Sequence, residues 1–283
     1  MAVFSVDLAG VSLQCSVRFP ETKVYFQSWL SPDRSAAEPP ESGGYTIPDA
    51  DWDSFPGINM PQCPHTEYSM LVGYLSDRLI EEDRCAIHAV AIRWNGAAYL
   101  ICGESGVGKS TQTKWLHALR PGEFSVICGD RPILQFCGSD NHENSELRDC
   151  CMKNAATLAQ YHGKEAVPKN EPIIVHPSPW NGKENWYGAA AAPLGGIILL
   201  VRGETNAITP LSTRQAVVPL YKAFIHSGRD AEKIKRIAYF EEIILNHVNI
   251  WMLTSSEVPQ STELLLKTVF PKLIMSGDAY EKI

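Results

Sequence analysis

The chain has 283 residues, of which 45% are hydrophobic and 20% are charged, and its formal net charge is −7. Such a composition predicts a soluble globular protein that is long enough to bury a sizeable core. The acidic balance and the absence of any cluster of Lys and Arg argue against a nucleic-acid partner, because phosphate neutralisation needs a basic face.

The sequence shows no signal for export, membrane insertion or zinc binding. The start of the chain lacks a basic segment followed by a long apolar stretch, and the longest apolar run, at residues 195–201, is too short to span a bilayer. The eight cysteines form no C-x-x-C pair. We therefore expect a cytoplasmic protein with reduced thiols and no membrane partner.

The N-terminal residues alternate in polarity as β-strands do. This pattern predicts a hairpin that turns at Ala9-Gly10, with a third strand at Val24-Tyr25-Phe26. Residues 31–53 are rich in Pro, Ser, Gly and acidic side chains, which is typical of a surface loop.

A helix and then a hairpin are predicted next. Between Tyr68 and Glu82, leucines recur at every fourth position, which predicts one apolar helix face. The apolar run at residues 87–92 predicts a strand, and Asn95-Gly96 predicts a tight turn into the next strand, at residues 97–102. The two strands would therefore be antiparallel, which is unusual for a Rossmann-like nucleotide domain at this point.

The following residues match G-x-x-x-x-G-K-[ST], the phosphate-binding loop (P-loop) pattern. Its glycines let backbone N–H groups turn inward around a phosphate, Lys109 supplies a charge to the β- and γ-phosphates, and Ser110 supplies a hydroxyl to Mg²⁺. Apolar residues at helical spacing follow, as the motif requires. We therefore expect ATP or another nucleoside triphosphate, with Mg²⁺, to bind at nine consecutive residues: Gly103, Glu104, Ser105, Gly106, Val107, Gly108, Lys109, Ser110 and Thr111.

An acidic residue follows the next apolar strand, which is predicted at residues 124–128. Asp130 lies where P-loop enzymes hold Mg²⁺, so we predict a metal-binding or general-base role for it, and the alternative is a turn-forming aspartate. Arg131 is a candidate phosphate contact. His88 is a candidate catalytic residue, although most histidines in apolar strands are satisfied core residues.

The rest of the chain alternates strands and helices. Within it, the loop Pro179-Trp180-Asn181-Gly182-Lys183 offers Lys183 as a charge for a ligand, whereas a tryptophan in such a loop is more often a packing anchor. Apolar runs predict strands at residues 133–136, 173–176, 196–202 and 248–253, and helical spacing predicts helices at residues 147–160, 211–224, 234–245 and 261–269.

The order of these features resembles the HPr serine kinase/phosphorylase family, which shares a P-loop fold with phosphoenolpyruvate carboxykinases. The resemblance covers roughly residues 85–220. It rests on the strand with His88, the hairpin, the P-loop, Gly129-Asp130-Arg131, the loop at residues 179–183 and Ala192-Pro193-Leu194.

The resemblance implies an α/β fold with a P-loop kinase core, a mixed β-sheet and flanking helices. Residues 1–84 would form a β-rich and loop region with one helix, packed on a nucleotide-binding domain at residues 85–283. The implied activity is ATP- and Mg²⁺-dependent phosphoryl transfer to a serine-like hydroxyl of a peptide, a small protein or a small molecule. Family members often assemble as homo-oligomers, so the resemblance implies the same here.

The family's functional residues carry over in part. Lys109 and Ser110 match the phosphate-binding lysine and the Mg²⁺-binding hydroxyl, and His88 matches a histidine near the phosphates. Asp130 matches the second of two adjacent acids, and the first, regarded as the general base, is replaced by Gly129. The segment with which the family engages its protein substrate has no clear counterpart, so the chain resembles a divergent member.

Two alternatives remain beside the kinase hypothesis. The glycine at residue 129 favours a nucleotide-binding regulatory protein that has lost catalysis, in which a Gly129→Asp substitution would restore activity. A carboxykinase-like activity would need further metal ligands that the sequence does not identify.

Overall fold

A computed structural model describes residues 2–30, 45–47, 61–136, 172–228 and 230–271. The predicted helix at residues 147–160 and most of the predicted loop at residues 31–53 lie outside these ranges. Within them the chain is a mixed α/β structure, with a large mixed sheet and flanking helices, as the sequence predicts.

The N-terminal residues form a small sheet of their own. Strands β1 (Ala2–Leu8) and β2 (Val11–Val17) make the predicted hairpin, and Ala9 and Gly10 both take positive φ at its turn. Strand β3 (Tyr45–Thr46) pairs parallel with β2.

The prediction of a strand at Val24-Tyr25-Phe26 is wrong. A 3₁₀-helix spans Pro20–Trp29, and proline occupies its first turn, where a fixed φ and a missing N–H are compatible with a helix. Phe26 is fully buried, while Val24 and Tyr25 are exposed. The aromatic and β-branched residues favoured a strand locally, but in the fold the Phe26 ring packs against Phe4 and Tyr68.

Helix α1 (Pro64–Glu81) confirms the predicted helix and begins four residues earlier. Its leucine face is completely buried, and its glutamate at residue 67 joins it to the N-terminal sheet. The Glu67 carboxylate accepts hydrogen bonds from the backbone N–H groups of Arg18 and Phe19 and from the Thr22 hydroxyl.

In the described residues the large sheet has ten strands, and four more helices follow α1 along the chain. The strands are β4 (Arg84–Ile87), β5 (Ala89–Trp94), β6 (Ala97–Cys102), β7 (Phe124–Cys128), β8 (Ile133–Phe136), β9 (Ile173–His176), β10 (Ala192–Arg202), β11 (Ala207–Pro210), β12 (Phe224–Ile225) and β13 (Asn249–Ser255). The helices are α2 (Lys109–Leu119), α3 (Thr213–Tyr221), α4 (Ala231–His247) and α5 (Val258–Thr268).

The strand order in the large sheet is β12-β4-β8-β9-β10-β6-β5-β7, and β13 pairs with β10 and β11. The predicted turn at Asn95-Gly96 joins β5 and β6 as an antiparallel pair, and both turn residues have positive φ. Strands β6, β10 and β13 are parallel. The strand that enters the glycine loop at residues 103–108 is therefore antiparallel to its predecessor, as predicted.

The single strand predicted at residues 87–92 is wrong. The chain instead makes two strands, β4 and β5, which meet at His88 and pair with different neighbours. The backbone N–H of His88 donates to the carbonyl oxygen of Ala223, and that of Ala89 donates to the carbonyl oxygen of Asp130. The break therefore takes His88 out of the strand ladder and places it beside the phosphate loop.

The N-terminal sheet shares a hydrophobic core with the large sheet. One buried cluster contains the inward side chains of β1 and β2, the leucines of α1, and also Ala86, Ile133 and Trp180 from the C-terminal portion. The division of the chain at residue 84 therefore stays a prediction. In the described portion of the chain, no helix is both long and apolar enough to cross a membrane.

Candidate phosphate-binding site

The loop between β6 and α2 has a backbone that only glycine adopts readily. Gly103, Gly106 and Gly108 have φ of 155°, 77° and 116°. A Cβ at residue 103 would also lie 2.6 Å from the carbonyl oxygen of Leu200. The glycines that define the motif are therefore required by the conformation of the loop and by its close approach to β10.

Lys109 is folded back into this loop. Its amine donates to the carbonyl oxygens of Gly103 at 2.8 Å and Glu104 at 3.2 Å, and it lies 3.1 Å from Nε2 of His88. The side chain is only 8% exposed, and burial lowers the pKa of Lys109, while the charge of Asp130 opposes that shift. Among the described residues, no carboxylate forms an ion pair with this amine. A buried cation without a paired anion is costly, which points to an anionic ligand.

His88 links the lysine to the predicted acid. Its Nε2 lies 3.3 Å from Oδ1 of Asp130, and Oδ2 of Asp130 lies 3.3 Å from Nε of Arg131. Asp130 is about one quarter exposed, so its carboxylate remains accessible from solvent. The structure therefore brings together three predicted residues, Lys109, His88 and Asp130, from three separate stretches of the chain.

The backbone at Gly129 is covered by the loop at residues 178–187. A Cβ at Gly129 would lie 2.4 Å from the carbonyl oxygen of Asn181 and 3.2 Å from Cβ of Trp186. The Arg131 N–H donates to the carbonyl oxygen of Trp180, which fixes the loop against the strand end. An acid at residue 129 therefore needs this loop to move, and the expectation that Gly129→Asp restores activity stays a prediction.

The remaining predicted nucleotide contacts lie around the lysine. Glu104, Ser105 and Thr111 are exposed, and Val107 and Ser110 are partly buried. Ser110 lies in the first turn of α2, where backbone N–H groups and the helix dipole favour an anion.

Ser110 and Asp130 fit a magnesium ion in their chemistry. A hydroxyl and a carboxylate are hard oxygen ligands, and Mg²⁺ takes one or two protein ligands together with water and substrate phosphates. Among the described residues, no group of three or more His, Cys, Asp or Glu side chains is placed to hold a metal by itself.

A cleft of about 1100 Å³ opens beside the loop. Its lining includes residues 103–107 and His88, the end of β10, and residues at and just after the end of α3. Two basic side chains that sequence reasoning missed, Arg202 and Lys222, also line the cleft, and Arg202 donates to the carbonyl oxygen of Gly106 at 2.9 Å. Neither belongs to a motif, so only their position in the fold identifies them.

The two candidate ligand contacts in the loop at residues 179–183 differ in burial. Trp180 is 2% exposed and packs in the core shared with the N-terminal sheet, so it acts as a packing anchor. Lys183 is exposed and does not line the cleft.

No protein-family model matches the chain, and no curated protein sequence matches it. Among solved structures, the chain is similar to the Hpr(Ser) kinase/phosphatase from Coxiella burnetii, at 11% sequence identity and a TM-score of 0.28. The match covers 64% of this chain and 93% of that chain.

Proposed function

We propose that this chain binds a nucleoside triphosphate with Mg²⁺ and transfers its terminal phosphoryl group to a serine-like hydroxyl of a peptide, a small protein or a small molecule. One observation carries the proposal. The Lys109 amine is buried in a glycine loop, with no carboxylate of the described residues paired to it, and lies 3.1 Å from a histidine that contacts Asp130. A lysine in this setting has its natural partner in a phosphate.

Each residue of the site has a part in the proposed transfer. The acceptor oxygen attacks the γ-phosphorus, the bond to the β–γ bridging oxygen breaks, and the nucleoside diphosphate leaves. Asp130 takes the proton of the acceptor hydroxyl, and His88 orients the carboxylate. Lys109 and the loop N–H groups stabilise the charge on the phosphates. Ser110 and Asp130 would hold Mg²⁺, which supplies further charge neutralisation when bound.

The second candidate is a nucleotide-binding regulatory protein without catalysis. It is favoured by the packing at Gly129, where the carbonyl oxygen of Asn181 fills the space that a second acid would need. This candidate predicts nucleotide binding without turnover, whereas the kinase hypothesis predicts both.

Isothermal titration with ATP and Mg²⁺ tests the binding step that both candidates share. We expect the wild type to bind and Lys109→Ala to lose roughly 10- to 100-fold in affinity, because a charge-assisted hydrogen bond to phosphate is lost. Lys267→Ala is the matched control, since Lys267 is an exposed lysine on α5. No binding by the wild type would contradict the proposal.

Transfer assays with γ-labelled ATP then separate the two candidates. We expect label to pass to an acceptor in the wild type and Asp130→Asn to lower that rate at least about 100-fold while binding persists. Binding without transfer to any peptide, protein or small-molecule hydroxyl would favour the regulatory candidate.

A further inference from the structure

The orientation of Lys109 gives the phosphate site a direction. In a P-loop the lysine reaches the β- and γ-phosphates. Here its amine lies among the carbonyl oxygens of Gly103 and Glu104 and the ring of His88. The terminal phosphate of a bound nucleotide would therefore lie toward Gly103 and His88.

The cleft continues from this terminal end. Its lining includes Gly103 and His88 but neither Ser110 nor Thr111, which lie on the first turn of α2. A basic side chain in this cleft is therefore nearer to the third phosphate than to the base.

Lys222 also lines this cleft, immediately after α3. Its position is fixed through its neighbour, because the carbonyl oxygen of Ala223 accepts the His88 backbone N–H at 2.7 Å. The N–H of Ala223 itself donates to the carbonyl oxygen of Leu220 at 2.9 Å, so the helix end is well ordered by hydrogen bonds. The backbone at residues 222–223 is thus joined directly to a residue whose ring contacts the Lys109 amine.

The charge of Lys222 has no acidic partner among the residues that the structure describes. The second basic side chain of the cleft, Arg202, is already engaged by the loop through a hydrogen bond to the carbonyl oxygen of Gly106. Lys222 can therefore move to an incoming anion without breaking an ion pair with a described residue.

We propose that Lys222 contacts the γ-phosphate of a bound nucleoside triphosphate from this cleft; this inference rests on the proposed nucleotide binding. A cation there faces the group that is transferred, where it compensates the charge on the phosphoryl oxygens. Lys222 has no such contact with a nucleoside diphosphate, because the diphosphate lacks the γ-phosphate. Lys222 therefore makes the site select the triphosphate over the diphosphate.

Titration of ATP and of ADP, each with Mg²⁺, into the wild type and into Lys222→Gln tests this selectivity. We expect Lys222→Gln to weaken ATP binding roughly tenfold and to change ADP binding by less than about twofold. Lys222→Arg keeps the cation and should retain most of the preference for ATP. Lys267→Gln changes the net charge by the same amount at an exposed site and should change neither the affinity for ATP nor the affinity for ADP.

Each other outcome overturns the inference. Equal losses for ATP and ADP in Lys222→Gln would show a general effect of charge, and unchanged affinities for both would show no contact. These results leave the proposed function standing, because the wild type still binds. A wild type that binds neither nucleotide would instead contradict the proposed function itself, and the role of Lys222 with it. Thermal unfolding of each variant checks that the fold is retained.

Discussion

At the scale of single residues, one nitrogen of His88 is shared by two partners of opposite charge. Nε2 lies 3.1 Å from the Lys109 amine and 3.3 Å from Oδ1 of Asp130. This atom accepts from the lysine when it is unprotonated and donates to the aspartate when it carries a proton, so it cannot serve both at once. In the proposed nucleotide complex the lysine turns to the phosphates, and the histidine then serves Asp130.

Two glycines in different surroundings give a residue-scale prediction. Gly129→Ala should lower the free energy of unfolding by about 1–3 kcal/mol, because its new Cβ meets the carbonyl oxygen of Asn181 at 2.4 Å. Gly73→Ala, inside α1, meets nothing within 4 Å and should raise it by roughly 0.5–1 kcal/mol. Urea denaturation measures both, and equal stability of Gly129→Ala and wild type would contradict the packing described at the candidate site.

At the scale of elements, a buried polar network joins the P-loop helix to the C-terminal elements. The Gln112 side-chain amide of α2 donates to Ser261 at 2.6 Å and to Ser255 at 3.3 Å, and its carbonyl oxygen accepts from Thr262 at 2.6 Å. Ser255 ends β13, and the other two belong to α5. All four side chains are buried, so water cannot bond to their polar groups. The hydrogen bonds of the network satisfy these groups instead.

Removal of the central amide should loosen this junction. We expect Gln112→Ala to destabilise the protein by roughly 2–3 kcal/mol, because buried hydroxyl groups lose their partner and a cavity remains. Gln260→Ala is the control, since Gln260 is exposed and contacts only Glu257 among the described side chains, and it should stay within about 0.5 kcal/mol of wild type. Chemical denaturation distinguishes the two, and a similar small effect for both would show that the network contributes little.

At the scale of the whole molecule, a buried acid on α4 couples stability to pH. Glu241 is 6% exposed, and its Oε1 has no hydrogen-bond partner among the residues that the structure describes. Burial raises the pKa of Glu241 to about 7, and a hydrogen bond with the Tyr221 backbone opposes that shift. Because the folded state keeps this proton up to about pH 7 and the unfolded state releases it near the ordinary value of 4.5, the folded state binds more protons between these values.

Glu241 should therefore make the free energy of unfolding fall as pH rises from about 4.5 to about 7, with no further change above. Glu241→Gln should remove this decline and should be more stable than wild type at pH 8 by about 1–3 kcal/mol. Urea denaturation at several pH values measures the free energy of unfolding. Glu242→Gln is the control, because Glu242 is the next residue of the helix and is exposed. Equal slopes in wild type and Glu241→Gln would show that the carboxyl group is not protonated in the folded state.

Local sequence signals predicted most of the described elements. The hairpin at Asn95-Gly96 was predictable because a type of turn with positive φ at both residues needs such a pair. The leucine face of α1 was predictable from its spacing. The 3₁₀-helix at Pro20–Trp29 and the break at His88 were not predictable from local signals, because they depend on partners that are distant in the chain.

The sequence by itself determined that this protein has a glycine loop, a lysine and a first-turn hydroxyl in the order that phosphate binding needs. Those residues are consecutive, so their relation is local and is readable from the chain. Only the tertiary structure decided that His88 and Asp130 lie beside Lys109, that Gly129 has no room for an acid, and that Lys222 lines the cleft beside the glycine loop. These relations join residues far apart in the chain, and packing between strands and loops, not local pattern, places them together.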